Sequence, residues 1–182
     1  MRCKQIFLLL SICVLAIGTS YGQWPTAVKV ISINPNGATV ENGQLETGYV
    51  LADLNWALKP TVGCFSNTDS RKFKGKQVFY ASTLAAKTIL DIKLVSKNPK
   101  SKMSLYAYLI PLEDFSIPPA LDRCVTCRQA SQGGVLLPGQ EENGERKLRL
   151  NAIQKGYNVV IAVCGEEGVE KGSYTLTMET VK

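Results

Sequence analysis

The chain of 182 residues carries a formal net charge of +6 at pH 7 and contains no histidine. The absence of histidine excludes sites in which histidine activates a serine or cysteine nucleophile, and zinc sites with histidine ligands. Carboxylate, lysine, tyrosine or thiol chemistry remains open, but no paired-carboxylate motif stands out and no P-loop or G-x-S-x-G motif occurs, so we expect the protein not to be an enzyme.

Residues 1–22 are typical of a secretory signal peptide. Arg2 and Lys4 precede an uncharged run over 6–17, and the tripeptide at 20–22 fits the pattern that signal peptidase cleaves after. The run is too short to cross roughly 30 Å of hydrocarbon as a helix. We therefore expect a secreted or periplasmic protein, with a retained anchor or a buried core helix as the alternatives. The chain after the signal is long enough for one domain.

Alternation of apolar and polar residues dominates the rest of the chain and predicts short β-strands. In one of them, Leu90, Ile92 and Leu94 share a face, whereas the segment MSLYAYLI is apolar on both faces and predicts a central strand. Turn-forming segments separate nearly all strands, and no amphipathic helix of ordinary length is found. The predicted strands are Ala27–Ile33, Tyr49–Trp56, Val78–Ser82, Thr88–Val95, Met103–Ile110, Lys147–Ala152, Tyr157–Val163 and Tyr174–Met178.

This strand count predicts an all-β fold, an antiparallel β-sandwich of jelly-roll type with about eight strands. We expect residues 23–46 to form a lead-in strand with two turns, one of them at the segment ENG (41–43), because this stretch is too short for its own core. Residues 47–182 are expected to form the sandwich domain.

Five segments follow one another in a recognisable order: KQVFYAST, TILDIKLV, MSLYAYLI, RKLRLNAIQKGYNVVIAV and KGSYTLTME. The most specific matches are Gly156-Tyr157 and Gly172-Ser173-Tyr174, which set a glycine turn directly before a strand. In this order the chain, from about Trp56 to its end, resembles the bacterial pre-peptidase C-terminal domain, a jelly-roll sandwich family. The resemblance implies a domain without catalytic residues that assists the export or stability of a secreted enzyme, or binds a polymeric substrate, at times with calcium.

Exported chains meet oxidising conditions, so the four cysteines that follow the signal peptide are expected to form disulfides, with three possible connectivities. Counting the strands as alternately up and down from Val78, with a further descending strand through the segment RQAS (128–131), places Cys64 and Cys164 at one end of the sandwich. The same count places Cys124 and Cys127 at the other end. We therefore predict the pairs Cys64–Cys164 and Cys124–Cys127.

Two alternatives remain open for the segment CVTC. Cys124 and Cys127 can form a thiol-disulfide redox centre, in which Arg123 and Arg128 favour the thiolate, but a turn-forming segment follows where such a centre requires a helix. All four cysteines can instead bind zinc, although Cys64 and Cys164 do not form a second C-x-x-C pair.

Three further groups of residues are candidates for binding. Oxygen ligands for calcium can come from two polar turns, in which case the ligands are Asn67, Asp69, Glu166 and Glu167. An aromatic ligand face can be formed by Tyr80, Tyr106 and Tyr108. The alternatives are ordinary polar turns and half-buried sheet positions.

Lysines cluster at 71–76 and 97–102, which indicates either a patch for an acidic polymer or solvated loops. Stacking aromatics are not interleaved with them, so we do not expect a nucleic-acid partner. Trp24 and Trp56 are interpreted as core residues or covers of strand edges.

We expect an exported, non-catalytic module, without a membrane span or a cofactor other than calcium, that binds an extracellular polymer or a partner protein. The alternatives are a small periplasmic thiol-disulfide redox protein that uses Cys124 and Cys127, and a carboxylate-based hydrolase.

Overall fold

Nine strands form two stacked sheets in the computed structural model, which describes residues 23–131 and 143–181. The strands are β1 (Val28–Val30), β2 (Ala38–Gln44), β3 (Gln77–Leu84), β4 (Thr88–Ser96), β5 (Met103–Ile110), β6 (Thr126–Ala130), β7 (Glu145–Ala152), β8 (Tyr157–Gly165) and β9 (Ser173–Val181). One sheet has the order β1-β3-β8-β5-β6 and the other the order β2-β9-β4-β7. The prediction of an all-β sandwich is therefore confirmed.

Pairing is antiparallel in both sheets except between β1 and β3, which run parallel. Residues 23–46 supply one edge strand to each sheet, β1 to the first and β2 to the second. The predicted signal peptide lies outside the described residues. Among 23–131 and 143–181, no helix has the length and apolar character needed to cross a membrane.

One predicted strand, Tyr49–Trp56, is wrong. This segment makes a single bridge, between Tyr49 and Gln77, and then enters a short 3-10 helix at Asn55–Leu58. Its apolar residues Leu51, Leu54 and Trp56 are buried against the outside of a sheet. The apolar residues that suggested a strand are indeed buried, but the backbone that carries them is irregular.

The core between the two sheets explains the alternating strands. Leu90, Ile92 and Leu94 of β4 face it from one sheet, and Leu105 and Leu109 of β5 face it from the other. Their polar neighbours point to solvent on the four-stranded sheet, because nothing in the described part of the chain covers its outer face. This gives β4 its strict period of two.

A second core covers the outer face of the five-stranded sheet. Most of it is made by residues 49–73, which we call the cap and which contain 3-10 helices at Asn55–Leu58 and Asn67–Phe73. Ile117 and Leu121 also contribute. Trp56 of the cap contacts the rings of Tyr106 and Tyr108 on β5, with centroids about 6 Å apart. Because β5 lies between the two cores, all eight of its residues are buried, which explains why its sequence is apolar on both faces.

Candidate functional site

A cleft opens along the side of the sandwich where the two sheets end in β1 and β2. Its volume is about 540 Å³, and strand β3 forms its floor. Lysine, amide and hydroxyl groups line it together with apolar side chains, the mixture that ligand sites use to bind and orient a molecule. The lining residues are Thr26, Ala27, Val28, Lys29, Asn42, Gly43, Gln44, Thr47, Val78, Phe79, Tyr80, Lys97 and Ser173.

Two tyrosine hydroxyls meet behind the cleft. Tyr80 and Tyr174 come from opposite sheets, and their hydroxyl oxygens lie 2.9 Å apart in a buried hydrogen bond. Burial raises the pKa of both phenols above the usual value, so both stay neutral. The ring of Tyr174 lies where a Cβ on Gly43 would stand, 2.4 Å from its nearest ring atom. Any side chain at position 43 would displace this tyrosine.

An ion pair crosses the cleft between its two edge strands. Lys29 of β1 and Glu41 of β2 both point toward the space between the sheets, and the lysine ammonium donates a hydrogen bond to the carboxylate. This hydrogen bond raises the pKa of Lys29. The pair neutralises itself, so it adds no net charge to this part of the cleft.

The opposite end of the cleft is basic. Lys97 lines the cleft at this end, beside Ser173 and Gln44, and makes no ion pair with any residue in 23–131 or 143–181. Backbone hydrogen bonds are the main reason why the pKa of the Glu46 carboxyl is lowered, and the nearby Lys171 and Lys76 lower it further. Lys76 also donates a hydrogen bond to the backbone carbonyl of Glu46. Two lysines therefore lie near the Glu46 carboxylate, and Lys97 adds a further positive charge at this end of the cleft.

This cleft was missed in the sequence. The alternation of β1 does not show which of its faces is inward: Lys29 and Ile31 face the space between the sheets, whereas Val28 belongs to the core under the cap. The segment at 41–43 was interpreted as a turn although it lies in the middle of β2. The available signal was the alternation of Thr39, Glu41 and Gly43, which are the less exposed residues of this edge strand.

The predicted aromatic ligand face is wrong. Tyr80 faces the core between the sheets, whereas Tyr106 and Tyr108 face the cap on the other side of the same sheet. All three are at most 2 % exposed. The hydroxyl of Tyr106 donates to the side-chain oxygen of Gln77 at 2.6 Å, and that of Tyr108 to the carbonyl of Val62 at 2.9 Å. The Tyr108 hydroxyl therefore anchors the cap, whereas that of Tyr106 links β5 to the start of β3.

Both predicted cysteine pairs are also wrong. Cys64 is bonded to Cys127, with 5.3 Å between their Cα atoms, whereas Cys124 and Cys164 carry free thiols. Cys164 lies opposite Gln77 at the start of β3, and Cys127 lies opposite Tyr108 near the far end of β5. The strand count assumed that Cys64 stands at the start of β3. In fact the cap carries Cys64 toward the other end before the chain returns through Phe73 to β3.

The redox and zinc hypotheses lose their structural basis with this pairing. Cys127 lies within strand β6 and is directly followed by residues 128–130 of that strand rather than by the start of a helix, and its bonded partner is Cys64 rather than Cys124. Partial burial raises the pKa of the Cys124 thiol, the opposite of what a reactive redox cysteine requires. In the two described ranges, no group of three or more His, Cys, Asp or Glu residues is placed to hold a metal ion.

The two turns proposed for calcium do lie close together, but their carboxylates are paired with basic side chains. The Arg71 side chain donates to the carboxylate of Glu167 at 2.9 Å, and Lys102 lies 3.3 Å from that of Glu166. Lys72 donates to Asp69 at 2.8 Å and lowers the pKa of that carboxyl. Asn67 begins the 3-10 helix of the cap. Calcium binding stays a prediction, and the ion would have to displace these cations.

No family model matches the chain, and no curated protein matches it. Among solved structures, it is similar to the pre-peptidase C-terminal domain of a collagenase from Bacillus anthracis, with 14% identity, a TM-score of 0.40 and coverage of 86% of this chain and 99% of that one. A periplasmic inhibitor of g-type lysozyme from Aeromonas hydrophila has 8% identity, a TM-score of 0.38 and coverage of 85% and 97%.

A surface-associated copper-binding protein from Methylomicrobium album has 9% identity, a TM-score of 0.39 and coverage of 85% and 98%. The first of these three structures comes from the family that the sequence resembles. Because all three TM-scores lie below 0.5, function has to be derived from the residues of this chain.

Proposed function

We propose that this protein is an exported, non-catalytic binding module that holds an extracellular polymer or a partner protein in the cleft between β1 and β2. The observation that carries the proposal is the cleft itself, whose lysine, amide and hydroxyl groups suit binding and orientation. The Cys64–Cys127 disulfide supports an oxidising compartment. The signal-like residues 1–22 support export.

The experiment compares the oxidised protein with two tryptophan variants on a glycan array and on a random-peptide array. Ala27→Trp puts a large ring into the cleft, whereas Ala38→Trp puts the same ring on an exposed position of β2 outside the cleft. We expect the wild type and Ala38→Trp to bind the same class of molecule, and Ala27→Trp to lose most of this binding.

A parallel insulin-reduction assay tests the alternative redox function. We expect no turnover, because the only described disulfide joins the cap to β6 and the Cys124 thiol is partly buried. Catalytic reduction of insulin, or the absence of binding on both arrays, would contradict the proposed function.

A further inference from the structure

The edge of β2 that faces away from β9 offers free backbone groups. Leu45 donates to the carbonyl of Gly172 at 2.9 Å, and Thr180 donates to that of Gly37 at 3.4 Å, which fixes the hydrogen-bonded pairs of the ladder at odd positions of β2. The backbone N–H and C=O groups of residues 38, 40, 42 and 44 therefore point away from β9.

These outward groups remain unpaired along the part of β2 that borders the cleft. The N–H and C=O of Val40 and Asn42, and the N–H of Gln44, have no partner in the described parts of the chain. The Gln44 carbonyl accepts from the hydroxyl of Thr47 at 2.8 Å. A strand edge on which every second residue has an unpaired N–H and C=O can pair with an additional strand.

The facing edge of β1 is free in the same way. Ile31 donates to the carbonyl of Ala81 at 2.8 Å, so Lys29 and Ile31 direct their backbone groups toward β3. Val28 and Val30 direct theirs outward, and apart from the turn bond from the Val28 N–H to Pro25, none of these groups is paired within 23–131 and 143–181. Both strands that border the cleft therefore have an edge with unpaired backbone groups.

The side chains around these edges select what can enter. The Lys29–Glu41 pair places charge at the inward positions of both strands, a feature that discourages unspecific edge-to-edge pairing. The Gln44 end carries an excess of positive charge, because three lysines and one glutamate lie near it: Lys76, Lys97, Lys171 and Glu46. This excess favours an occupant with negative charge at that end.

We propose that the cleft binds an extended acidic peptide segment of a partner protein, which adds as a strand to the free edge of β2. Its carboxylates would lie near Lys97, and its backbone would pair with Val40, Asn42 and Gln44. The proposal rests on the proposed function and deepens it by naming the ligand. A peptide is favoured over a glycan because the unpaired groups repeat at the spacing of a strand backbone.

The test selects binders from a displayed library of random short peptides and measures their affinity for matched variants by fluorescence anisotropy. Asn42→Pro removes the outward N–H at the edge without touching the ladder to β9, whereas Asn42→Ala keeps the N–H and loses the same side chain. We expect selected peptides to be rich in Asp and Glu. Their affinity for Asn42→Pro should be about tenfold lower than for Asn42→Ala, because both variants lose the side chain and only the proline loses the N–H.

A second pair of variants tests the charge. We expect Lys97→Glu to weaken acidic peptides by about tenfold at low salt, and Lys155→Glu, the same charge change at the β7–β8 turn, to leave them within about twofold. A selected peptide that is N-methylated at alternate amides should bind much more weakly than its parent.

Three results would overturn the inference: no enrichment of acidic sequences, equal affinity for Asn42→Pro and Asn42→Ala, or equal binding of the N-methylated peptide. If glycans bind and Ala27→Trp abolishes that binding, the inference is wrong while the proposed function stands. If neither array gives binding, the proposed function fails as well.

Discussion

At the scale of single residues, buried hydroxyls are matched to specific partners. Tyr108 donates to the carbonyl of Val62 and Tyr106 to the side chain of Gln77, so each links strand β5 to a segment outside its own ladder. A buried hydrogen bond that loses its donor leaves the acceptor without a partner, which costs more than the bond itself contributes. The position of the cap on the sheet therefore depends in part on the Tyr108 hydroxyl.

Tyr108→Phe tests this dependence. We expect the free energy of unfolding to fall by about 1–2 kcal/mol, because the ring still packs but the Val62 carbonyl loses its donor. Chemical denaturation measures the change. Tyr157→Phe is the control, since its hydroxyl makes no hydrogen bond within the described residues, and a loss as large as that of Tyr108→Phe would contradict the role given to Val62.

The two free thiols give a pH-dependent prediction. Burial raises the pKa of the Cys124 thiol above its ordinary value, so the reactive thiolate forms only at more alkaline pH than in a free cysteine. We expect iodoacetamide labelling of Cys124 in the folded protein to rise with pH along a curve shifted to higher pH. Cys164 is fully buried and should stay unlabelled until the protein unfolds. Labelling of Cys124 that is complete at neutral pH as fast as in a free peptide would contradict this.

At the scale of elements, the disulfide joins the cap to the edge strand β6. Cys64 and Cys127 are 63 residues apart in sequence, and cross-linking a loop of this size stabilises the folded state by about 4 kcal/mol on the chain-entropy model. Without the bond, residues 49–73 are held in place by the aromatic contacts of the cap and by hydrogen bonds such as that from Tyr108 to Val62.

Cys127→Ser is therefore expected to lower the free energy of unfolding by about 4 kcal/mol, whereas Cys124→Ser should change it by less than about 1 kcal/mol. Thermal denaturation under non-reducing conditions compares the two variants. Peptide mapping of the unreduced wild type should yield a linked pair of peptides that contain residues 64 and 127, and a linked pair containing residue 164 would refute the connectivity.

The elements also show what the sequence reveals and where it falls short. Strands β4, β5 and β8 were predicted because burial on one or both faces leaves a direct pattern of apolar residues. The edge strand β2 was missed, and β6 entered only the strand count, as the segment RQAS, because all residues of both strands are exposed or half-buried and their composition resembles that of turns. The cleft lies between β1 and β2, and the cysteine pairing depends on the path of the cap. Neither the cleft nor the cysteine pairing is encoded in a local sequence pattern, because both depend on segments that are far apart in the chain.

At the scale of the whole molecule, the first described segment closes one side of the sandwich. β2 pairs along its full length with β9, and Leu45 directly after it is fully buried in the core between the sheets. The sandwich therefore depends on residues 23–46, although they contribute only edge strands.

A chain that starts at residue 47 is expected to lose cooperative folding, because it exposes the edge of β9, removes Leu45 from the core and uncovers Tyr174 beside Gly43. Near-ultraviolet circular dichroism during heating measures this loss. A chain that starts at residue 26 lacks only the Trp24–Phe115 contact and the turn at Pro25, and it should retain a sharp transition. A sharp transition in the shorter chain would show that residues 47–182 fold by themselves.

The protein contains two tryptophans, and they differ in how deeply they are buried. Trp56 is enclosed by Phe65, Tyr106 and Tyr108, while Trp24 lies half-buried against Phe115. A Trp24→Phe protein would therefore carry its only tryptophan, and all of its tryptophan fluorescence, in the cap. Its emission would shift to longer wavelength when the cap lifts from the five-stranded sheet, even if both sheets stay intact, so detachment of this layer can be followed optically and apart from global unfolding.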